Sequence, residues 1–316
     1  MPSDQTAKSI PHLLATAAQK RPHAVAYCQR TAEGRWLPIT WSELWREVRQ
    51  RAKAFRRLGL GAGDRLAILA RTCPAWQIAE MAGLLAGAAI VGIEPHAPED
   101  QIAFILDRAK VNALVVDSAA NLAKVPHALR ARLKFVVPLD DGVEAGAPNL
   151  VSWRDMTAGV EGGDWDEDFP SADNPAALLF TAGTTGTPKG ILYTHAQILA
   201  GCRAIHATFS ELGEDDSTLC WLPMAHLFQR MINLAAMSCG MKIFFVEDPR
   251  DILPRIQETR PSVFVAVPRF FEKLHEGIQQ RLAKQSEWHK WLIDAALAAG
   301  AEYARCTAAS LNSTAQ

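Results

Sequence analysis

The run Leu178-Leu179-Phe180-Thr181-Ala182-Gly183-Thr184-Thr185-Gly186-Thr187-Pro188-Lys189-Gly190-Ile191-Leu192-Tyr193 sets a Thr- and Gly-rich loop with one lysine between two short apolar runs. Leu178 to Phe180 and Ile191 to Tyr193 are bounded by turn residues and predict strands, so the loop joins strand to strand. Gly183, Gly186 and Gly190 permit positive φ and let backbone N–H groups come close to a ligand, while Thr181, Thr184, Thr185 and Thr187 add hydroxyls. Successive N–H groups in such a turn form a concave anion site, and with the charge of Lys189 this suits a polyphosphate better than a single carboxylate. Pro188 fixes its own φ and disfavours helix at Thr187, which stiffens the loop. A Walker loop does not fit. Pro188 precedes the lysine, and Gly190 follows it where a magnesium-binding Ser or Thr is needed. The plain alternative is a surface turn rich in Thr and Gly.

Outward from this hairpin, strands and helices alternate. Before it, helices are predicted over 10–19, 41–58, 74–86, 98–109 and 122–130, the second capped by a Thr40/Glu43 capping box. Strands are predicted over 24–28, 36–39, 65–70, 89–93, 113–116 and 135–137. After it come helices at 195–209, 227–238 and 250–258 and strands at 218–221 and 242–246. The pattern predicts an α/β protein of two α/β subdomains, with largely parallel sheets flanked by helices. The stretch from Asp140 to Asn174 is rich in Gly, Asp, Pro and Glu, and the boundary is placed there. Residues 1–174 are read as a first subdomain with its connector, and 175–316 as a second that carries the phosphate loop. The acidic cluster from Glu161 to Asp168 reads as a solvated connector rather than a metal site, and no metal-ligating residues are assigned.

Composition narrows the function classes. The hydrophobic fraction of 49% and charged fraction of 21% support a large core and exclude disorder. A net charge of -1, without a basic field, gives no footprint for nucleic acid. Six cysteines are dispersed with no C-x-x-C pair, which disfavours a disulfide framework or zinc site and predicts a reducing, cytoplasmic compartment. No signal peptide is visible, and the longest apolar run, Met81 to Ile93, is too short to span a bilayer. Peripheral contact with a membrane is left open for a lipid ligand.

Two further blocks carry pattern. Cys220-Trp221-Leu222-Pro223-Met224-Ala225-His226-Leu227-Phe228-Gln229-Arg230 ends a strand at a proline and starts an apolar helix, leaving His226 at the junction. Read alone, His226 is either a packed histidine at a helix start or a site residue. Val263 to Val267 reads as a buried strand stopped by Pro268, followed by a helix with Phe270, Phe271, Leu274 and Ile278 at helical spacing. Glu94-Pro95 follows the strand at 89–93, and no catalytic role is read there.

At these residues the chain resembles the adenylate-forming, AMP-binding superfamily of acyl-CoA synthetases, aryl-CoA ligases, luciferases and peptide-synthetase adenylation domains. Phe180 to Gly190 match the family loop, written Y/F-T-S-G-S/T-T-G-x-P-K-G, at every position but Ala182, where the family has serine. The blocks at 220–230 and 263–278 resemble "LPLAHxFER" and "VPRVFEKVYxGI" of the long-chain fatty acyl-CoA synthetase branch. The resemblance implies the incomplete N-terminal large domain of such an enzyme. The adenine-contacting, ribose-holding and magnesium-binding motifs and the C-terminal lid domain with its catalytic lysine have no counterpart in residues 1–316. It further implies ATP-dependent activation of a long-chain fatty acid to acyl adenylate and then acyl-CoA, with ATP, Mg2+ and coenzyme A as co-substrates. Thr181, Gly183, Thr184, Thr185, Gly186, Lys189 and Gly190 would hold phosphate, and Lys189 and His226 would be catalytic. The family's fatty-acid tunnel runs near the third block. Two alternatives stand beside this: a noncatalytic nucleotide- or lipid-binding remnant, and an aryl-CoA ligase. Oligomeric state is not read from the residues.

Overall fold

A computed structural model describes residues 7–140, 142, 149–161, 163–165, 168–181 and 189–313, with the backbone alone at Thr181 and 306–313. In chain order the elements are α1 (Ile10–Lys20), β1 (Val25–Arg30), β2 (Trp36–Thr40), α2 (Trp41–Arg57), β3 (Arg65–Leu69), α3 (Pro74–Ala86), β4 (Ala89–Ile93), α4 (Glu99–Arg108), β5 (Ala113–Val116), α5 (Ala119–Ala123), α6 (His127–Arg130), β6 (Phe135–Pro138), β7 (Pro175–Thr181), β8 (Lys189–Thr194), α7 (His195–Thr208), β9 (Ser217–Cys220), α8 (Leu227–Cys239), β10 (Lys242–Phe245), α9 (Ile252–Thr259), α10 (Pro268–Ala283) and α11 (Glu287–Ser313).

Two sheets organise the first 265 residues. One has six strands in the order β6-β5-β3-β4-β7-β8, and the other four in the order β2-β1-β10-β9. All pairs are parallel except the edge hairpins β7–β8 and β1–β2. The central strand β3 shows why its sequence is a continuous apolar run: Leu66 and Ile68 enter one core, Ala67 and Leu69 the other, because helices cover both faces. Helix α4 covers the second face with Ile102, Ile105 and Leu106. Helix α3 approaches the first face closely at Gly83, where an added Cβ would lie 2.7 Å from Leu66 and 2.8 Å from Ile90.

Both sheets draw strands from either side of the 140–174 connector. The boundary expected at 174/175 is therefore corrected: β7 and β8 complete the sheet begun by β3 to β6, and β9 and β10 complete the one begun by β1 and β2. The compact units divide instead between Val265 and Ala266. The described part of the connector is strapped to α2. Arg49, Lys53 and Arg57 donate to the carbonyls of Gly163, Asp164 and Gly159, at 2.9, 3.1 and 3.0 Å. The guanidinium of Arg51 lies 3.8 Å from the Trp153 ring centroid.

The capping box at Thr40 forms as expected, with Glu43 bonded reciprocally. Three other expectations need correction. The helix expected over 122–130 is broken into α5 and α6, because Pro126 has no N–H to donate and disfavours helix at Val125. The helix expected to open at Arg250 starts as a 3-10 turn, Pro249–Asp251, ahead of α9. The strand expected over 263–267 is reduced to one bridge, Thr218 to Val263. Beyond it the Trp221 indole N–H takes the Val265 carbonyl at 2.9 Å, so a side chain replaces the ladder.

The second unit, residues 266–316, contributes α10, with Pro268 in its first turn, and α11, on which Trp288 and Trp291 stack at 5.3 Å. Phe271 and Ile278, on the apolar face expected of α10, are exposed. No helix among the described residues is long and apolar enough to cross a membrane.

Candidate active site

In parallel sheets ligands collect at the carboxyl ends of the strands, and here the carboxyl ends of β3, β4, β9 and β10 border a cleft of about 120 Å³. Arg71, Glu94, His96, Trp221, Pro223 and Glu247 line it. Arg71 and Glu247 pair across it at 3.2 Å. The Lys124 ammonium donates to the Pro95 carbonyl at 2.7 Å and fixes the turn after β4.

His226 reaches this edge through a backbone held at several points. It occupies the position before the first turn of α8, with extended φ and ψ and no side-chain cap bond. The loop leading to it is anchored by buried Gln229, whose carbonyl oxygen accepts from the N–H groups of Trp221 and Leu222 at 3.3 and 3.0 Å. Thr72 donates its hydroxyl to the Leu222 carbonyl at 2.9 Å. Beneath the loop, Gly92 of β4 leaves space for its backbone: a Cβ there would stand 2.6 Å from the Ala225 carbonyl oxygen. The side chain of His226 is 67% exposed and its Nε2 lies 3.7 Å from a Glu94 carboxylate oxygen, so it is not a packed core histidine.

Helix α8 is itself pinned by a buried polar chain. Arg230 donates from Nε to Glu80 of α3 at 2.6 Å, with both side chains fully enclosed. Burial raises the Glu80 carboxyl, and the Arg230 charge opposes that rise. Gln229 donates to Asn233, which donates to Gln77, each at 2.8 Å. Burial pushes the nearby Cys73 thiol up to about 12 and raises Cys220 as well, which disfavours their thiolates.

The phosphate-loop hairpin enters at the same edge. β7 runs parallel to β4, with Ala177 beside Ile90 and Leu178 beside Val91, so its end at Thr181 points the same way as the end of β4 that carries Glu94. Thr181 pairs with Lys189 and Phe180 with Gly190 at the root of the hairpin. Lys189 and Gly190 are exposed there. Gly183, Thr184, Thr185 and Gly186 lie outside the described residues. The structure thus brings the loop's two stems and His226 to one sheet edge. It adds Gly92, Glu94, Gln229 and Arg230, which sequence reasoning left without a role. The visible signal for the last two was an adjacent Gln and Arg, with Asn233 one turn on, in a largely apolar helix. Among the described residues no group of three His, Cys, Asp or Glu is placed to hold a metal.

The chain is similar to FadD15 of Mycobacterium bovis, named a long-chain-fatty-acid–CoA ligase, at 32% identity over 87% of this chain and 46% of that protein. It is similar to mouse ACSBG2, also named a long-chain-fatty-acid–CoA ligase, at 26% identity over 92% of this chain and 45% of that protein. It therefore spans just under half the length of these relatives. Among solved structures, a putative long-chain-fatty-acid CoA ligase of Rhodopseudomonas palustris superposes with a TM-score of 0.70 at 18% identity, covering 84% of this chain and 64% of that one. The N-terminal subdomain of Klebsiella oxytoca NpsA, in complex with 3-hydroxybenzoyl-AMSN, gives 0.62 at 22% identity over 81% and 59%. These two likenesses show the fold. Residues 14–314 match the family described as AMP-binding enzyme, and the chain belongs to that family of adenylate-forming ligases.

Proposed function

We propose that this chain serves ATP-dependent activation of a long-chain fatty acid, first to an acyl adenylate and then to an acyl-CoA. One observation carries the reading: the stems of the phosphate loop lie at the same end of the six-stranded sheet as Glu94, which lines the cleft and faces His226. A fatty carboxylate oxygen attacks the α-phosphorus of ATP and pyrophosphate leaves. The thiol of coenzyme A then displaces AMP from the acyl carbon. Thr181, Gly183, Thr184, Thr185, Gly186, Lys189 and Gly190 hold the departing pyrophosphate, where N–H donors and a fixed cation offset developing charge. His226 attends the fatty carboxylate, with Glu94 at its Nε2. Mg2+ accompanies the nucleotide, and no residue of the chain is assigned to it.

The alkyl chain is given a place in an apolar cavity of about 410 Å³ along the C-terminal half of α8. Ile205, Phe209, Ile232, Ala236, Val263 and Phe264 are among the residues that line it. The names of the relatives at 26–32% identity support the long-chain assignment.

The test is fatty-acid-dependent exchange of labelled pyrophosphate into ATP by the 316-residue chain, with palmitate against benzoate. Exchange with palmitate, reduced at least about a hundredfold by Lys189→Ala, is expected, on the scale of losing one charge-stabilising donor. Exchange with benzoate alone points to an aryl-CoA ligase. Saturable ATP binding without exchange points to a noncatalytic binding chain.

A further inference from the structure

One Cys–His pair takes no chemical step in the adenylation proposed above, although it lines the cavity given there to the alkyl chain. Cys239, the last residue of α8, and His206 of α7 both line the 410 Å³ apolar cavity. Their Sγ and Nδ1 atoms are 3.2 Å apart, so the thiol donates to an unprotonated Nδ1 or an Nδ1–H donates to sulfur. The backbone at Cys239 is itself anchored. The Cys239 carbonyl accepts from Arg21 at 2.9 Å, and Gly240 follows with φ +78°, a conformation in which an added Cβ would collide with that same guanidinium. A thiol beside an imidazole is a nucleophile with its base in reach. The other lining residues, chiefly Ile205, Phe209, Ile232, Ala235 and Met241, select for an apolar partner.

From the Cys239–His206 pair in this cavity we infer a covalent modification site for alkyl α,β-unsaturated aldehydes. In the step the sulfur electron pair forms a bond to the β-carbon and the carbon–carbon π bond opens toward the carbonyl. His206 Nδ1 takes the thiol proton and returns it to the α-carbon. The product is a saturated thioether aldehyde, and nothing is oxidised or reduced. The alkyl tail lies in the cavity while the carbon at the head of the chain meets sulfur. The site needs neither ATP nor coenzyme A, so it stands or falls separately from the adenylation reading.

The test treats the 316-residue chain with trans-2-nonenal or with acrolein, traps the adducts with borohydride, and follows each cysteine peptide by mass spectrometry over time. Cys239, itself buried but lining the cavity beside His206, is expected to react at least about tenfold faster than the likewise buried Cys73 and Cys220 in the same sample. It is expected to prefer nonenal to acrolein, against the order of intrinsic reactivity, and to slow about tenfold or more in His206→Gln, a modest share of what a positioned base supplies. Circular dichroism checks that this variant is folded; if it is not, the nonenal-to-acrolein order in the native chain decides. Equal labelling across the cysteines, acrolein ahead of nonenal at Cys239, or full-speed labelling of a folded His206→Gln chain each overturns the assignment.

Discussion

Gly92 shows how much one missing side chain can position. The carbonyl of Ala225 occupies the space a methyl group would fill, so Gly92→Ala must push the loop that ends at His226 off the sheet. Overpacking of this kind costs about 1–3 kcal/mol, read as a lower urea midpoint, and pyrophosphate exchange should fall further than stability alone accounts for. His195, at the start of α7, makes a different prediction. Its Nδ1 accepts from the Ile10 N–H at 3.3 Å and its ring is 1% exposed, and desolvation lowers its pKa from 6.5 to about 4. The unfolded chain therefore binds a proton at pH 6.5 that the folded chain refuses until about 4. Stability present above that window is lost as pH falls through it, amounting to about 3 kcal/mol for this one group. His195→Gln keeps an acceptor for Ile10 and should flatten the loss between pH 6.5 and 4 in parallel urea titrations. At this scale sequence reading expected roles for Lys189 and His226 and gave none to Gly92 or Glu94. A motif displays the residues that stand out along the chain, whereas Gly92 and Glu94 matter through what lies across from them in another strand or loop.

At the scale of elements, α8 is both the platform for His226 and one wall of the apolar cavity, and α3 holds it through Glu80 and Arg230. Arg230→Met leaves the Glu80 carboxylate enclosed without its cation, which should cost about 3–5 kcal/mol, whereas adding Glu80→Leu should recover most of that loss. Denaturant melts of the two variants separate an orphaned charge from lost packing. The limits of α3, β4, β5 and α8 were legible because apolar runs there are cut off by turn and breaker residues, with Pro74 opening α3 and Gly240 closing α8. The segment after Ser262 was misread as a strand for a physical reason. Its composition is that of a buried strand, yet only Val263 bridges Thr218, and the Trp221 indole accounts for the Val265 carbonyl. Apolar β-branched residues state a wish for burial, and the number of available ladder partners decides whether a strand forms.

For the whole molecule, interleaving of the two sheets outweighs the composition of the connector. A fragment of residues 1–174 lacks β7 to β10, so it exposes the edge of β4 and leaves β1 with only its hairpin partner. It should show no cooperative urea transition, while residues 1–265 should melt in one step, as followed by tryptophan fluorescence. The sequence pattern showed alternating strands and helices and hence the α/β class, but strand order is a matter of distant pairing that no local pattern carries. That pairing also has a consequence in time. Tyr27 lies beside Ile243, roughly two hundred positions further along the chain, and a ribosome adding about 5–20 residues per second needs on the order of ten to forty seconds to supply that partner. Through that interval one side of β1 is an open strand edge on a nascent chain, so slowing translation between β2 and β10 should raise its dependence on chaperones.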